Sequence, residues 1–115
     1  MKDSVRKKIL ERDKGMCWHC GTTENIQIHH RINRGMGGSK LLDRPSNLIA
    51  VCAEYNYAME SDFVTARRAR DLGHKVSRHA SPLHTPIQDF IGQWYLLYDR
   101  YERYEVEPNE LREDG

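Results

Sequence analysis

The stretch Gln27-Ile28-His29-His30-Arg31-Ile32-Asn33-Arg34-Gly35-Met36-Gly37-Gly38-Ser39, taken up again at Pro45-Ser46-Asn47-Leu48-Ile49-Ala50-Val51-Cys52 and closed by Asn56, decides how this chain is read. An apolar run ends in two adjacent histidines, a basic glycine-rich loop follows, and Asn47 opens a second apolar run. Residues Ile26 to His30 predict a short strand with Ile26 and Ile28 on one face and Gln27 and His29 on the other. His29 and His30 then point opposite ways unless the chain twists or breaks there. Loops as long as Arg31 to Ser46 are usually functional in a small domain, and glycine lets backbone approach a ligand closely. Pro45 cannot join a central strand; Asn47 to Cys52 predict the second strand, and Ala53 to Glu60 a helix. Two imidazoles and a helix-borne amide in this order suit one divalent cation and one proton acceptor held against a phosphodiester. Neutral histidine can take a proton from water. Hard cations such as Mg²⁺ keep several waters and need few protein ligands. Imidazole with an amide oxygen suits Mn²⁺, Co²⁺ or Ni²⁺ at least as well.

Upstream, Ser4 to Asp13 predict a helix with Val5, Ile9 and Arg12 on one face, Asp3 or Ser4 as its cap and Gly15 just past its end. Cys17-Trp18-His19-Cys20-Gly21 follows, a tight turn that aims two sulfurs at one point in the manner of a zinc knuckle. Cys52 brings the cysteine count to three. An odd number in a reducing compartment points to metal or thiol chemistry rather than a disulfide framework. Downstream, the helical pattern breaks near Ser61, a good cap. A further helix is predicted over Asp62 to Leu72, with Gly73 as its stop. Ala66, Ala69 and Leu72 form its inner face, leaving Arg67, Arg68 and Arg70 largely off it. Lys75 to Ser77 read as a short strand, and Pro82 and Pro86 mark a loop. From Ile87 to Tyr101 the spacing fits a helix, but Gln93 to Tyr98 is equally strand-like and Gly92 weighs against a long helix. Periodicity leaves both open.

At 115 residues the chain is long enough for one domain, expected over 1–104 with its core at about 26–60, before a flexible acidic tail at 105–115. A core of this size gains from a metal staple. Charged residues are 30% and hydrophobic residues 38%, polar but not the composition of a disordered chain. No apolar run approaches a membrane span, and Met1-Lys2-Asp3-Ser4 lacks the apolar core of a signal peptide, so a cytoplasmic location is expected. Net charge is only +1, but it is unevenly spread: 15 Lys and Arg face 10 Asp and Glu up to Tyr98, and 3 face 7 from Asp99 on. Arg31, Arg34 and Lys40, beside the candidate metal, are expected to contact phosphate. Trp18, Trp94 and the tyrosines read as core. His74, His79 and His84 receive no role.

Taken together, Cys17-Trp18-His19-Cys20, Ile28-His29-His30-Arg31, Arg34-Gly35-Met36-Gly37-Gly38-Ser39, Pro45-Ser46-Asn47-Leu48-Ile49 and Val51-Cys52 resemble the HNH endonuclease family, and most of all its small members from actinobacterial phages. The likeness is strong from Val5 to Asp62 and weaker beyond. It implies an α+β fold built on a ββα-metal finger, with flanking helices and a small C-terminal β or helical extension. It also implies a metal-dependent DNA endonuclease. Under it His30 matches the general base and His29 the preceding metal ligand. Asn47 matches the asparagine that braces the loop and orients the base, and Asn56 the metal ligand on the helix, Asn here rather than His, as in some other members. Many relatives hold a structural Zn²⁺ with four cysteines; here Cys17, Cys20 and Cys52 have counterparts but Tyr55 stands in the fourth place, leaving His19, water or an empty site. The expected partners are double-stranded DNA and, by analogy with the phage proteins, a terminase; the expected state is a monomer or weak dimer. The alternatives are an HNH-fold module that binds nucleic acid or protein without cutting, or a restriction or homing nuclease.

Overall fold

The computed structural model of the chain describes residues 1–33 and 40–107. It opens with helix α1, Asp3–Arg12. The cap position is Lys2, with no side-chain bond, so neither Asp3 nor Ser4 acts as the cap; Asp3 instead puts a negative charge in the first turn, where the helix dipole favours it. Ile9 is fully buried beneath the helix. Arg12 and Asp13, both buried, tie the helix to the next layer. The Arg12 guanidinium donates to both Asp13 carboxylate oxygens, at 2.7 and 3.0 Å, and to the carbonyls of Pro45 at 2.9 Å and Leu48 at 2.6 Å. Asp13 in turn accepts the Ala50 amide at 3.0 Å.

Strands β1, Ile26–His30, and β2, Leu48–Cys52, pair antiparallel from Ile26 opposite Cys52 to His30 opposite Leu48. Every residue of β2 is buried. Helix α2, Ala53–Ser61, begins directly at the end of β2, and the Cys52 sulfur accepts the Tyr55 amide at its start. Helix α3, Phe63–Asp71, is capped by Asp62, which accepts the Thr65 amide at 2.9 Å and the Thr65 hydroxyl at 2.6 Å. Ser61, the expected cap, bonds back to the Tyr57 carbonyl at 2.8 Å. Gly73 ends α3 as expected, with φ of +79° and the Pro86 carbonyl 2.0 Å from where a Cβ would stand.

Lys75 to Ser77 form no strand; Val76 makes a single backbone bond, to the Arg31 carbonyl at 2.9 Å. The open choice after Ile87 falls to strands. β3, Ile87–Gln88, β4, Trp94–Leu97, and β5, Arg103–Glu105, form an antiparallel sheet in that order. Asp89 closes the first turn by accepting the Ile91 and Gln93 amides at 3.1 and 2.9 Å, with Gly92 at φ +93°. A helix would have denied Asp89 both bonds. Glu105, expected to open a frayed tail, instead pairs with Tyr95, and Val106 donates to the Trp94 carbonyl at 2.9 Å. Ile87, Tyr95 and Leu97 pack into one core with Ile49, Val51 and Met59. The fold is α+β, and no helix among the described residues is long and apolar enough to cross a membrane.

Candidate metal centre

The turn after α1 and the junction of β2 with α2 bring the three thiols together. The sulfurs of Cys17, Cys20 and Cys52 all lie within 4.8 Å of one another, with Cys20 and Cys52 4.0 Å apart. Main-chain donors already face them: the His19 amide points at the Cys17 sulfur at 3.3 Å and the Tyr55 amide at the Cys52 sulfur at 3.4 Å. Burial pushes the Cys17 thiol up to about 11, against the pull of the Cys20, Cys52 and His19 amides. A cation at the centre would reverse that, because a coordinated thiol is deprotonated. The set could therefore hold a metal ion. His19, the side chain expected as a possible fourth ligand, stands outside this group. The His19 ring lies flat on Tyr55, centroids 4.0 Å apart and planes 8° apart, and the Tyr55 hydroxyl is turned away to His74 Nδ1 at 2.6 Å.

The second cluster lies where α2 crosses β1. Strand alternation puts Gln27 and His29 on the face that α2 covers, and α2 presents Asn56 there. Asn56 Nδ2 donates to Gln27 Oε1 at 2.7 Å, and the same side chain is close enough to the His29 ring to favour its protonated form. Burial dominates, however, and lowers His29 to about 4. Its Nε2 lies 3.0 Å from the His74 carbonyl. A carbonyl only accepts, so Nε2 carries the hydrogen and Nδ1 keeps its lone pair. A neutral imidazole with one nitrogen fixed on a main-chain carbonyl is how metal-binding histidines are commonly held. Glu60, paired with Lys75 at 3.3 Å, adds a negative charge nearby. The ring, the Asn56 amide and the Gln27 amide offer one nitrogen and amide oxygens, a donor set that fits a hard or borderline divalent ion.

His30 faces the other way. Its Nε2 meets Asp43 Oδ1 at 2.8 Å, and Asp43 Oδ2 lies 3.9 Å from the amino terminus. The pleat therefore divides the adjacent histidines, as alternation predicts, and the chain does not break to bring both rings onto one ion. Asp43 escaped the sequence reading because thirteen residues and a glycine-rich loop separate it from His30. Asn47 is fully buried and clasps both ends of that loop: its Oδ1 accepts the Ile32 amide at 2.8 Å, and its Nδ2 donates to the Leu42 carbonyl at 2.9 Å. Arg34 lies outside the described residues, as does the side chain of Lys40.

Arg31 contradicts the phosphate contact expected of it. It is fully buried, and its guanidinium is spent on four main-chain carbonyls: Gly73 at 2.8 Å, Ser46 at 2.9 Å, Pro82 at 3.1 Å and Thr85 at 2.8 Å. Fully buried, the guanidinium offers no surface to DNA. Burial lowers its pKa to about 9, which still leaves it charged at neutral pH. His74 was missed altogether. It is 1% exposed, lowered by burial to about 4, and sits between Tyr55, His29 and the C-terminal sheet. The one available signal was Tyr55, whose hydroxyl needs a partner once its ring is buried.

A hollow of about 500 Å³, lined by Leu83, His84, Leu96, Tyr98, Asp99, Arg100 and Glu102, takes in none of these residues. Comparison with family models, with curated proteins and with solved structures found no match to this chain, so the resemblance rests on the chain's own sequence.

Proposed function

We propose that this chain is a metal-dependent DNA endonuclease of the HNH type, built on a ββα-metal finger formed by β1, β2 and α2. The observation that carries the reading is the approach of Asn56 to the His29 face of β1: the helix amide donates to Gln27, two residues before His29 on the same strand face, at 2.7 Å, and its side chain also bears on the His29 ring. His29 and Asn56 would hold the ion, Mg²⁺ or Mn²⁺ with Ni²⁺ or Co²⁺ as alternatives. When bound, it supplies positive charge against the phosphate and the departing oxygen.

The remaining steps belong to protein groups. Asp43 accepts from His30 Nε2, which fixes the hydrogen there and leaves Nδ1 as the base. Nδ1 takes a proton from water, the water oxygen attacks phosphorus, the bond to the 3′ oxygen breaks, and that oxygen takes a proton from solvent water. The products carry 5′-phosphate and 3′-hydroxyl ends. Asn47 holds the loop ends that place His30 and Asp43. Arg34, Lys40 and the exposed Arg67, Arg68 and Arg70 of α3 supply sequence-independent attraction to the DNA backbone. Zn²⁺ at Cys17, Cys20 and Cys52 would staple α1 to the hairpin. Action in a host cytoplasm beside a phage terminase rests on the resemblance alone.

Plasmid nicking across a panel of divalent ions, with zinc quantified in the purified protein, tests the reading. Cleavage that needs an added divalent ion and disappears on chelation is expected. A second reading, a module that binds nucleic acid without cutting, draws on the division of His29 from His30 across the pleat. DNA binding with no cleavage under any ion would establish it in place of the first.

A further inference from the structure

The proton positions around His74 follow from which partners can only accept. His74 Nε2 lies 2.8 Å from the Gln88 carbonyl, so the hydrogen is on Nε2 and Nδ1 has the lone pair. The Tyr55 hydroxyl, 2.6 Å from Nδ1, must then be the donor. The carbonyl of the same His74 accepts from His29 Nε2 at 3.0 Å. A continuous line results: Cys52 sulfur, Tyr55 amide, Tyr55 hydroxyl, His74 ring, His74 carbonyl, His29 ring. Each end of the His74 ring is engaged, so the residue cannot turn without orphaning a buried polar group. The glycine before it is locked as well, since Arg31 donates to its carbonyl and the Pro86 carbonyl leaves no room for a side chain.

We propose that Tyr55 and His74 are positioning residues for His29, holding its carbonyl partner in place so that Nδ1 alone is offered to an ion beside Asn56. This rests on the reading that His29 and Asn56 hold the divalent ion. Tyr55 thus has a task of its own: its hydroxyl serves the neighbouring cluster instead of completing the thiol set.

The test uses the full chain saturated with zinc, so that added Mn²⁺, which prefers oxygen and imidazole to thiolate, reports only on the second cluster. Mn²⁺ affinity is read by electron paramagnetic resonance in wild type, Tyr55→Phe, His74→Phe and His29→Ala. The His29 tautomer is read by nitrogen-15 NMR without manganese. Both phenylalanine variants are expected to keep the zinc content of wild type, to bind Mn²⁺ about tenfold or more weakly, and to show a mixture of His29 tautomers. A folded variant that keeps both the wild-type affinity and a single Nε2–H tautomer overturns the proposal. So does failure of both variants to fold, which would make the line a piece of core. If His29→Ala binds Mn²⁺ as wild type does, or wild type binds none, the ion site itself is refuted; the tautomer measurement then decides the positioning role alone.

Discussion

The two faces of the β1–β2 hairpin carry one imidazole each, and the pair shows how surroundings divide identical side chains. On the α2 face His29 is buried, held neutral, and bonded to a main-chain carbonyl. On the other face His30 is half-buried and bonded to a carboxylate. A carbonyl partner leaves a neutral ring with one lone pair to give, the state a cation wants. A carboxylate partner fixes the hydrogen on one ring nitrogen and leaves the other to take a proton from water, as a base must. Two histidines side by side in sequence thus have environments suited to two separate tasks, and the strand pleat provides the separation.

The largest effect that would sharpen this contrast is kinetic. His30→Ala should lower cleavage by roughly 100- to 10,000-fold, the usual contribution of a general base, while Mn²⁺ affinity stays within about twofold of wild type. Equal loss of both quantities would erase the distinction between the faces.

Acid should find the α2 face first. His29 and His74 are lowered to about 4 when folded, against 6.5 for the free side chain. The unfolded chain therefore binds the extra protons sooner. The stability these two residues contribute is complete above pH 6.5 and declines as pH falls toward 4, by at most about 3 kcal/mol for each. Urea unfolding followed from pH 7 to pH 4.5 should show the decline in wild type and in His30→Ala alike; a flat profile would mean the α2 face is not closed to water.

Arg31, next in sequence to both histidines, gives a comparable effect by another route. Arg31→Met should cost about 3 kcal/mol or more in urea unfolding, since several buried carbonyls lose their donor at once. The salt dependence of DNA binding should not change. A shallower salt slope in a variant of normal stability would return Arg31 to the DNA surface.

The smallest effect belongs to Asn56→Ala, expected to weaken Mn²⁺ by about tenfold and to leave the His30 side of the hairpin untouched. Unaltered Mn²⁺ affinity would break the pairing of the strand ring with the helix amide.

Much of the N-terminal half was legible because its signals are local. Alternation gave β1 and the opposed histidines; a continuous apolar run gave β2; Gly73 stopped α3. Arg31 was not legible, because an arginine reads as surface by type, and its cage of carbonyls comes from segments 15 to 54 residues away. Asp43 was hidden in the same way behind the glycine-rich loop. The choice between helix and strand after Ile87 turned on the Asp89 side chain gathering two amides, a turn preference that apolar spacing does not report. His74 was hard to find because its one signal, the buried Tyr55 hydroxyl in need of a partner, stands 19 residues away.

The Gly73–His74 corner also sets an order of assembly. A ribosome that has released the chain only through α2 has delivered His29 without its acceptor, and Arg31 with one of its four carbonyls. The acceptor settles only after Gln88 has emerged to hold the His74 ring. During synthesis the hairpin is thus exposed well before its imidazole is oriented, and a nascent chain stays unfinished at this spot until its last third arrives.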